Sequence, residues 1–497
     1  MQTAQAQVQT GFVFPSAGVR ILIPLVVSAF MEEASGQSMN ALSDYNIGVS
    51  VGSVPASAFS FSDPIDSENP KFTAREVLYS TFAVAHMMFA RDPKQVFTNN
   101  VWRDASAMAR QFLAKGLGKY ISSSLELRRP SMESARYDPR VLEESIIKRF
   151  GQNSVSEARK TFFIIAHGLK GGVPHFFGHI DQTRYPRSPD TPLHIDNIPL
   201  HGNVTVSEAI MSATAIPGMI GYRHVDALAE HFMDSGTFSA PSFGAIMEDM
   251  HDLATLKALQ DHGKRLSARN VWQKVAGMVH ADTPPAPVIS RLVQFGIGDE
   301  SQLAFDTSND GGVVNKANDI VRAAGNHVNG FSMAHIKKRF DKASRGQTGM
   351  PGLQIIDCNI IPQNDEERAT FPSADIVDGR IQNLMRLMAF GRKVAIENRA
   401  IIFDEINLRM ETLEARGLRT PEQVAAVAQR LDKYRSEAEA AALCDRIVFG
   451  QDQVESMLEK EARPAAEGIA EIVKVPATSA PRRMVAGIGS LIGSLII

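Results

Sequence analysis

The sequence predicts an α/β fold with a mostly parallel sheet covered by helices on both faces. Two observations carry this reading. The first sixty residues alternate strand, helix, strand, helix, the order that links parallel strands. Later apolar runs, Thr161 to His167 and Val288 to Gly296, read as strands of the buried, central kind. With 497 residues, 44% of them hydrophobic, the chain is long enough for a large core plus an appendage.

The elements follow in order. Met1 to Thr10 is polar and Gln-rich and reads as a disordered N-terminus. No basic stretch precedes an apolar one, so it does not resemble a cleaved secretion signal. Gly11 to Phe14 is a short strand and Pro15 to Gly18 a loop. Ile23 to Glu33 is helical and ends near Gly36. The apolar run Ile21 to Phe30 is too short to cross a bilayer. Tyr45 to Val49 is the second strand. Helices are expected at Ala74 to Met88, Trp102 to Leu117 and Pro139 to Phe150. Strands follow at Thr161 to His167 and Phe176 to Ile180. Tyr185 to Pro199, rich in Pro and Asp, is an exposed excursion. Val206 to Ala215 is helical, and His231 to Met233 is a strand running into Asp234-Ser235-Gly236. Further strands are Val288 to Gly296 and Leu353 to Asp357, with a turn at Asn309 to Gly312 between them. Gln382 to Glu397 is a helix.

From about residue 400 the texture becomes charged, Ala-rich and helical. Thr420-Pro421-Glu422-Gln423 is a helix start, with Thr as N-cap, Pro at the first position and Gln three residues on. Val424, Val427, Leu431, Tyr434, Ala438 and Ala441 form one apolar stripe, which suits packing on the main domain or on a helical partner. Four regions are therefore expected: the disordered start 1–10, a main domain 11–400, a helical extension 401–475 and a tail 476–497. The tail ends in an uncharged segment, Met484 to Ile497, after Arg482-Arg483. That pair suits an anionic surface, so peripheral membrane binding or self-association is expected of it.

A net charge of −3 gives no electrostatic case for nucleic acid as a partner. Two cysteines, Cys358 and Cys444, make no disulfide framework, and a reducing, cytoplasmic setting is the simpler reading. Export without a cleaved signal is the alternative. No Cys/His cluster has zinc spacing, so neither a metal nor an organic cofactor is expected.

The most informative stretch is Gly48-Val49-Ser50-Val51-Gly52. A strand precedes it and a helix start with an early Pro, Ser53-Val54-Pro55, follows. This is the pattern of a nucleophile elbow, in which a tight strand-to-helix turn projects a serine hydroxyl and glycines leave room for the backbone. The turn aims the next helix's N–H groups at an oxyanion beside the serine. A merely structural Gly-Ser turn is the alternative.

Over residues 11–400 the chain resembles the patatin-like phospholipase family. That family opens with a Gly-rich loop ending in Arg-Gly; here the run is Pro15-Ser16-Ala17-Gly18-Val19-Arg20-Ile21, and only Gly18 and Arg20 keep the pattern. An apolar helix and the elbow follow. Ser212-Ala213-Thr214-Ala215-Ile216-Pro217 resembles the family's small-residue helix ending in Pro. Asp234-Ser235-Gly236 resembles its D-G-[GA] strand end, with a nearby Ala240-Pro241 pair. The resemblance implies a three-layer α/β/α domain and an acyl hydrolase acting on phospholipids or other acyl esters.

It also assigns Asp234 as the base for Ser50, with no histidine. A serine hydroxyl is a weak nucleophile until a base takes its proton, and local spacing does not bring these residues together. Read from its neighbours alone, Asp234 suits a turn or N-cap. A Ser-His-Asp triad using His231, His167 or His175 is the alternative. The resemblance places the oxyanion donors near Gly18, Val19 and Val51. Ser16 and Ala17 replace two glycines there, and each would cost about 1 kcal/mol if its site needs positive φ. Arg20 either steadies this loop, meets an anionic headgroup, or forms a surface ion pair. Two rival functions follow: a patatin-fold protein that has lost catalysis and serves as a binding or self-assembling module, or a partner-binding or self-assembling scaffold working through its C-terminal helices. A second copy of the chain or a protein activator is the expected protein partner.

Overall fold

The computed structural model describes residues 7–62, 71–89, 139–170, 172–181, 185, 194–195, 198–216, 220–236, 246–247, 249–258, 288–298, 353–362, 364, 371–372 and 377–448. The expected helix at Trp102 to Leu117, the turn at Asn309 to Gly312, Pro217, the Ala240-Pro241 pair and the apolar tail lie outside them.

The apolar runs pair into one mixed sheet of ten strands. They are β1 (Gln7–Phe14), β2 (Tyr45–Val49), β3 (Thr161–Gly168), β4 (Val173–His179), β5 (His194–Ile195), β6 (Ile198–His201), β7 (Arg223–Val225), β8 (Glu230–Asp234), β9 (Val288–Phe295) and β10 (Leu353–Cys358). The main path runs β10-β9-β1-β2-β3-β4-β6-β5, with β8 attached to β3 and β7 to β8. From β10 through β3 every pairing is parallel. β4 and β8 both join β3 antiparallel.

Side chains alternate between the two faces, so each strand feeds two cores. On one face Phe12, Phe14, Phe162, Ile164 and Phe232 pack under α1 (Leu22–Ser35), α3 (Ser53–Ala58) and α6 (Val206–Ala213), with α2 (Met39–Leu42), α4 (Ala74–Phe89) and α5 (Arg140–Phe150) around them. On the other, Val13, Ile47, Val49, Phe163, Ile165 and Phe176 meet Ile246, Met247 and Met250. This is a three-layer α/β arrangement. Local signals fix the helix ends: Gly36 closes α1 at φ 70°, and Thr205 with Glu208 forms a capping box on α6.

Two expected boundaries are corrected. The N-terminal strand starts at Gln7, so residues 7–10 are ordered sheet. Gln9 is buried because its amide is fully engaged: Nε2 donates to Met250 O and Ser290 Oγ, and Oε1 accepts from Tyr185. The boundary at 400 also disappears. Helices α7 (Ile381–Glu397), α8 (Arg399–Ala415), α9 (Pro421–Lys433) and α10 (Glu437–Val448) contribute Leu387, Phe403, Leu431 and Ile447 to the same core as α1. Phe30 stacks on Phe403 at 5.8 Å. Of the expected apolar stripe, Val424, Val427, Leu431 and Tyr434 pack on the main domain; the helix is interrupted at residues 434–436, Ala438 is exposed, and α10 buries Ala440, Leu443 and Ile447 instead.

Candidate active site

β2 ends at Val49, and the chain turns at once into a short 3₁₀ turn, Ser50–Gly52, and then α3. Ser50 has φ 54°, one of two non-glycine residues in the left-handed region among those described. Such a residue is strained by roughly 1–2 kcal/mol. The flanking glycines are sterically required. A Cβ on Gly48 would stand 2.5 Å from Gly52 O, and one on Gly52 would stand 2.2 Å from Phe14 O. Ser53 donates its hydroxyl to Ser50 O at 2.5 Å, which fixes the far side of the turn.

The Ser50 hydroxyl donates to Asp234 Oδ2. Asp234 closes β8, and its other oxygen, Oδ1, accepts the Gly236 N–H at 2.6 Å. Ser235, where the family pattern has glycine, turns its hydroxyl to Ile165 O at 2.7 Å and so binds this corner to β3. Ser50 and Asp234 are 1% and 7% exposed. Buried in this way, their interaction acts at low dielectric.

The oxyanion loop departs from expectation. Ala17 has φ −143°, Ser16 is not in the left-handed region, and only Gly18 is, at φ 51°. The two replaced glycines therefore cost no backbone strain. Ser16 lies against Gly236, where a Cβ would come within 2.1 Å of its Oγ and 3.0 Å of Asp234 Oδ1. Among the described residues, no hydrogen bond engages the N–H groups of Gly18, Val19 or Val51. Three donors at one corner of the dyad are thus open to an oxyanion.

Arg20 is not a surface residue. It is buried and donates to Ile297 O at 3.1 Å and Pro372 O at 3.4 Å, steadying the loop against the end of β9. The histidines fall elsewhere. His231 is exposed, on the face of β8 opposite Asp234, with its ring 4.4 Å from that of His224. His175 Nδ1 pairs with His201 Nε2 at 2.9 Å, and burial lowers both pKa values, that of His201 to about 4. The serine's hydrogen bond goes to the carboxylate and not to an imidazole.

An apolar groove opens beside the loop. Gly18, Val19 and Val51 form its end nearest Ser50, and α4 and α5 form its walls through Val84, Met88, Ile146 and Phe150. Sequence reasoning missed these residues. Their helical spacing on α4 and α5 was visible, but it is the same spacing that any core-facing helix shows.

Among the described residues, no group of three or more His, Cys, Asp or Glu could hold a metal ion, and no helix is long and apolar enough to cross a membrane. Fold and site together define a three-layer α/β protein with a Ser–Asp pair at the carboxyl edge of its sheet. The chain matches no protein-family model and no curated protein.

Proposed function

We propose that this protein is a lipid acyl hydrolase of patatin type, a serine esterase working through a Ser50–Asp234 dyad. The observation that carries the reading is the strained, left-handed Ser50 with its hydroxyl on a buried carboxylate. Strain of this kind clusters at functional sites.

In the proposed cycle Ser50 Oγ attacks the ester carbonyl as Asp234 takes its proton. The N–H groups of Gly18, Val19 and Val51 receive the oxyanion. Asp234 returns the proton to the leaving alcohol, and an acyl-enzyme remains on Ser50. Water, deprotonated by Asp234, then releases the fatty acid. The α4–α5 groove takes the acyl chain, because its lining is apolar and it begins at the oxyanion donors.

Hydrolysis of a mixed phospholipid and acyl-ester panel by wild type and Ser50→Ala tests this, with and without cell extract to supply an activator. Fatty acid release that disappears in the variant is the expected result; equal release by both overturns the reading. The rival, a binding module that has lost catalysis, is favoured by the burial of Ser50. Covalent labelling of Ser50 by a fluorophosphonate separates the two.

A further inference from the structure

β4 and β6 pair in parallel at Phe176 with Leu200 and at Phe177 with His201, and then part. A cavity of about 390 Å³ lies in the fork, bounded by residues of two short turns, Val155–Glu157 and Asp226–Leu228. It shares no residue with the dyad, the loop before α1 or the α4–α5 groove. Two glycines line it. Gly178 is required by packing, since a Cβ there would stand 2.1 Å from Phe162 O. Gly202 has no such reason. Its φ is not in the left-handed region, and a Cβ on it would come no closer than 3.6 Å, to Ser156, with Gly178 O at 3.8 Å. Both of those residues line the cavity, so the side chain missing from Gly202 is volume kept empty.

His201 stands opposite Phe177, on the sheet face that carries His175, and its Nε2 meets His175 Nδ1 at 2.9 Å. One of these nitrogens donates and the other accepts. The surroundings of Gly168 show which. Where its Cβ would be, His175 Nε2 lies 2.6 Å away and the Glu230 carboxylate carbon 3.6 Å away. A carboxylate on that side favours the hydrogen on His175 Nε2. His175 Nδ1 then accepts, His201 Nε2 donates, and His201 Nδ1 keeps a bare lone pair with no partner among the described residues. His175 does not line the cavity, so His201 gives it the part of the ring away from Nε2, which includes Nδ1.

Burial lowers the pKa of both imidazoles, so the pair is uncharged at neutral pH. Ser156, His179 and Asn203 are the other polar side chains of the wall, and Leu200 and Leu228 are among its apolar ones. No lysine, arginine, aspartate or glutamate lines it among the described residues. A phosphate or carboxylate would meet a lone pair and no cation, and a cation would meet no carboxylate. The volume is that of a small-molecule site. We propose that this cavity is a second ligand site, taking an uncharged molecule with an apolar body and one hydroxyl or N–H donor, which bonds to His201 Nδ1. The site stands independently of the hydrolase reading.

The test is titration of the full-length protein with indole and 4-propylphenol, followed by ligand-observed NMR, with benzoate and phenyl phosphate as charged counterparts. The uncharged pair should bind and the charged pair should not. Gly202→Leu, which fills the cavity, should abolish binding, and the smaller Gly202→Ala should weaken it, each with a cooperative melt. His201→Phe keeps a ring in place and removes the acceptor. It should cost roughly tenfold in affinity for 4-propylphenol and leave its methyl ether, 4-propylanisole, unaffected. Absence of saturable binding by either uncharged probe overturns the proposal. So does binding that survives both Gly202 variants, since the probe then sits elsewhere. Equal binding of the charged pair, or an equal loss of phenol and ether in His201→Phe, also overturns it.

Discussion

Ser50 donates its hydroxyl hydrogen to Asp234 across 184 positions of chain because both residues hang from the same edge of β3. β2 runs parallel to β3 and stops with Val49 opposite Ile165. β8 arrives antiparallel on that edge and stops with Asp234 opposite Ala166, one residue further. The two strands abut end to end, and the serine after one meets the carboxylate closing the other. The dyad is thus fixed by sheet register, which the buried faces of β2 and β3 specify strongly.

Ser50→Ala should abolish ester hydrolysis, by about a thousandfold or more, with the fold intact. Ser50→Gly should be equally inactive but more stable than Ser50→Ala by about 1 kcal/mol, because glycine tolerates φ 54°. The order is diagnostic, since glycine normally lowers stability relative to alanine. Thermal melts of the two variants, with alanine the more stable, would contradict the strain argument.

Asp234→Asn should cost nearly as much activity as Ser50→Ala, and the double variant little more, because the pair acts as a unit. His231→Ala should leave turnover within about twofold, since its ring points away from the dyad and stands over His224. Kinetics on a soluble ester decide this. Activity lost with His231 and kept without Asp234 would restore the triad.

These two residues were unequally legible in the sequence. Ser50 could be read locally, because strand, glycines and helix start are contiguous. Asp234 came only from a resemblance, since nothing in its neighbours reports the register of β8 on β3. The early strand was hidden because Gln7 and Gln9 look like solvent-facing residues; burial of Gln9 depends on partners as distant as Ser290. The helices after 400 read as an appendage for a similar reason. Their charged surface masks Arg409 and Glu405, which are buried against partners from other elements.

Ala17→Gly should change turnover little, because Ala17 already has an ordinary φ. Gly18→Ala should lower it and destabilise the fold by about 1 kcal/mol, since Gly18 alone in that loop occupies the left-handed region. Ser16→Gly tests the side chain packed on Gly236: a large fall in activity would make its hydroxyl a participant. Steady-state kinetics and melts on the three variants separate backbone strain from side-chain chemistry.

Glu32 gives the molecule a pH dependence. Burial pushes its carboxyl up from 4.5 to about 7, against the N–H bonds it accepts from Met39 and Ala74. Between those values the unfolded chain releases a proton that the folded one keeps. The contribution of Glu32 to stability therefore falls as pH rises from 4.5 to 7 and levels off above it, by about 3 kcal/mol at roughly 1.36 kcal/mol per pKa unit, against the opposite contribution of His201, whose lowered pKa adds stability over part of the same window. Glu32→Gln should flatten that window. Denaturation of both proteins at pH 5 and pH 8 measures it, and parallel curves would remove Glu32 as the cause.

The helices beyond residue 400 should prove inseparable from the sheet domain. Asp44, directly before β2, has no exposed side-chain surface. It accepts the Thr10 N–H at 2.8 Å from β1, Arg409 Nη1 at 2.8 Å from α8, and Arg416 Nη1 at 3.0 Å. Arg409 also donates to Ala41 O and Ser43 O. A buried pair adds little net stability while intact, but losing one partner strands the other charge, at about 3–5 kcal/mol. Arg409→Leu should cost less than that, because Asp44 keeps Arg416 and the Thr10 N–H. Adding Asp44→Asn should recover part of it, giving a coupling energy in a double-mutant cycle. Deleting residues 401–497 should leave a chain without cooperative unfolding, because Phe403, Leu431 and Ile447 leave the core along with Arg409. A truncated protein that melts cooperatively and hydrolyses esters would restore the boundary at 400, and calorimetry of the full-length and truncated proteins side by side decides it.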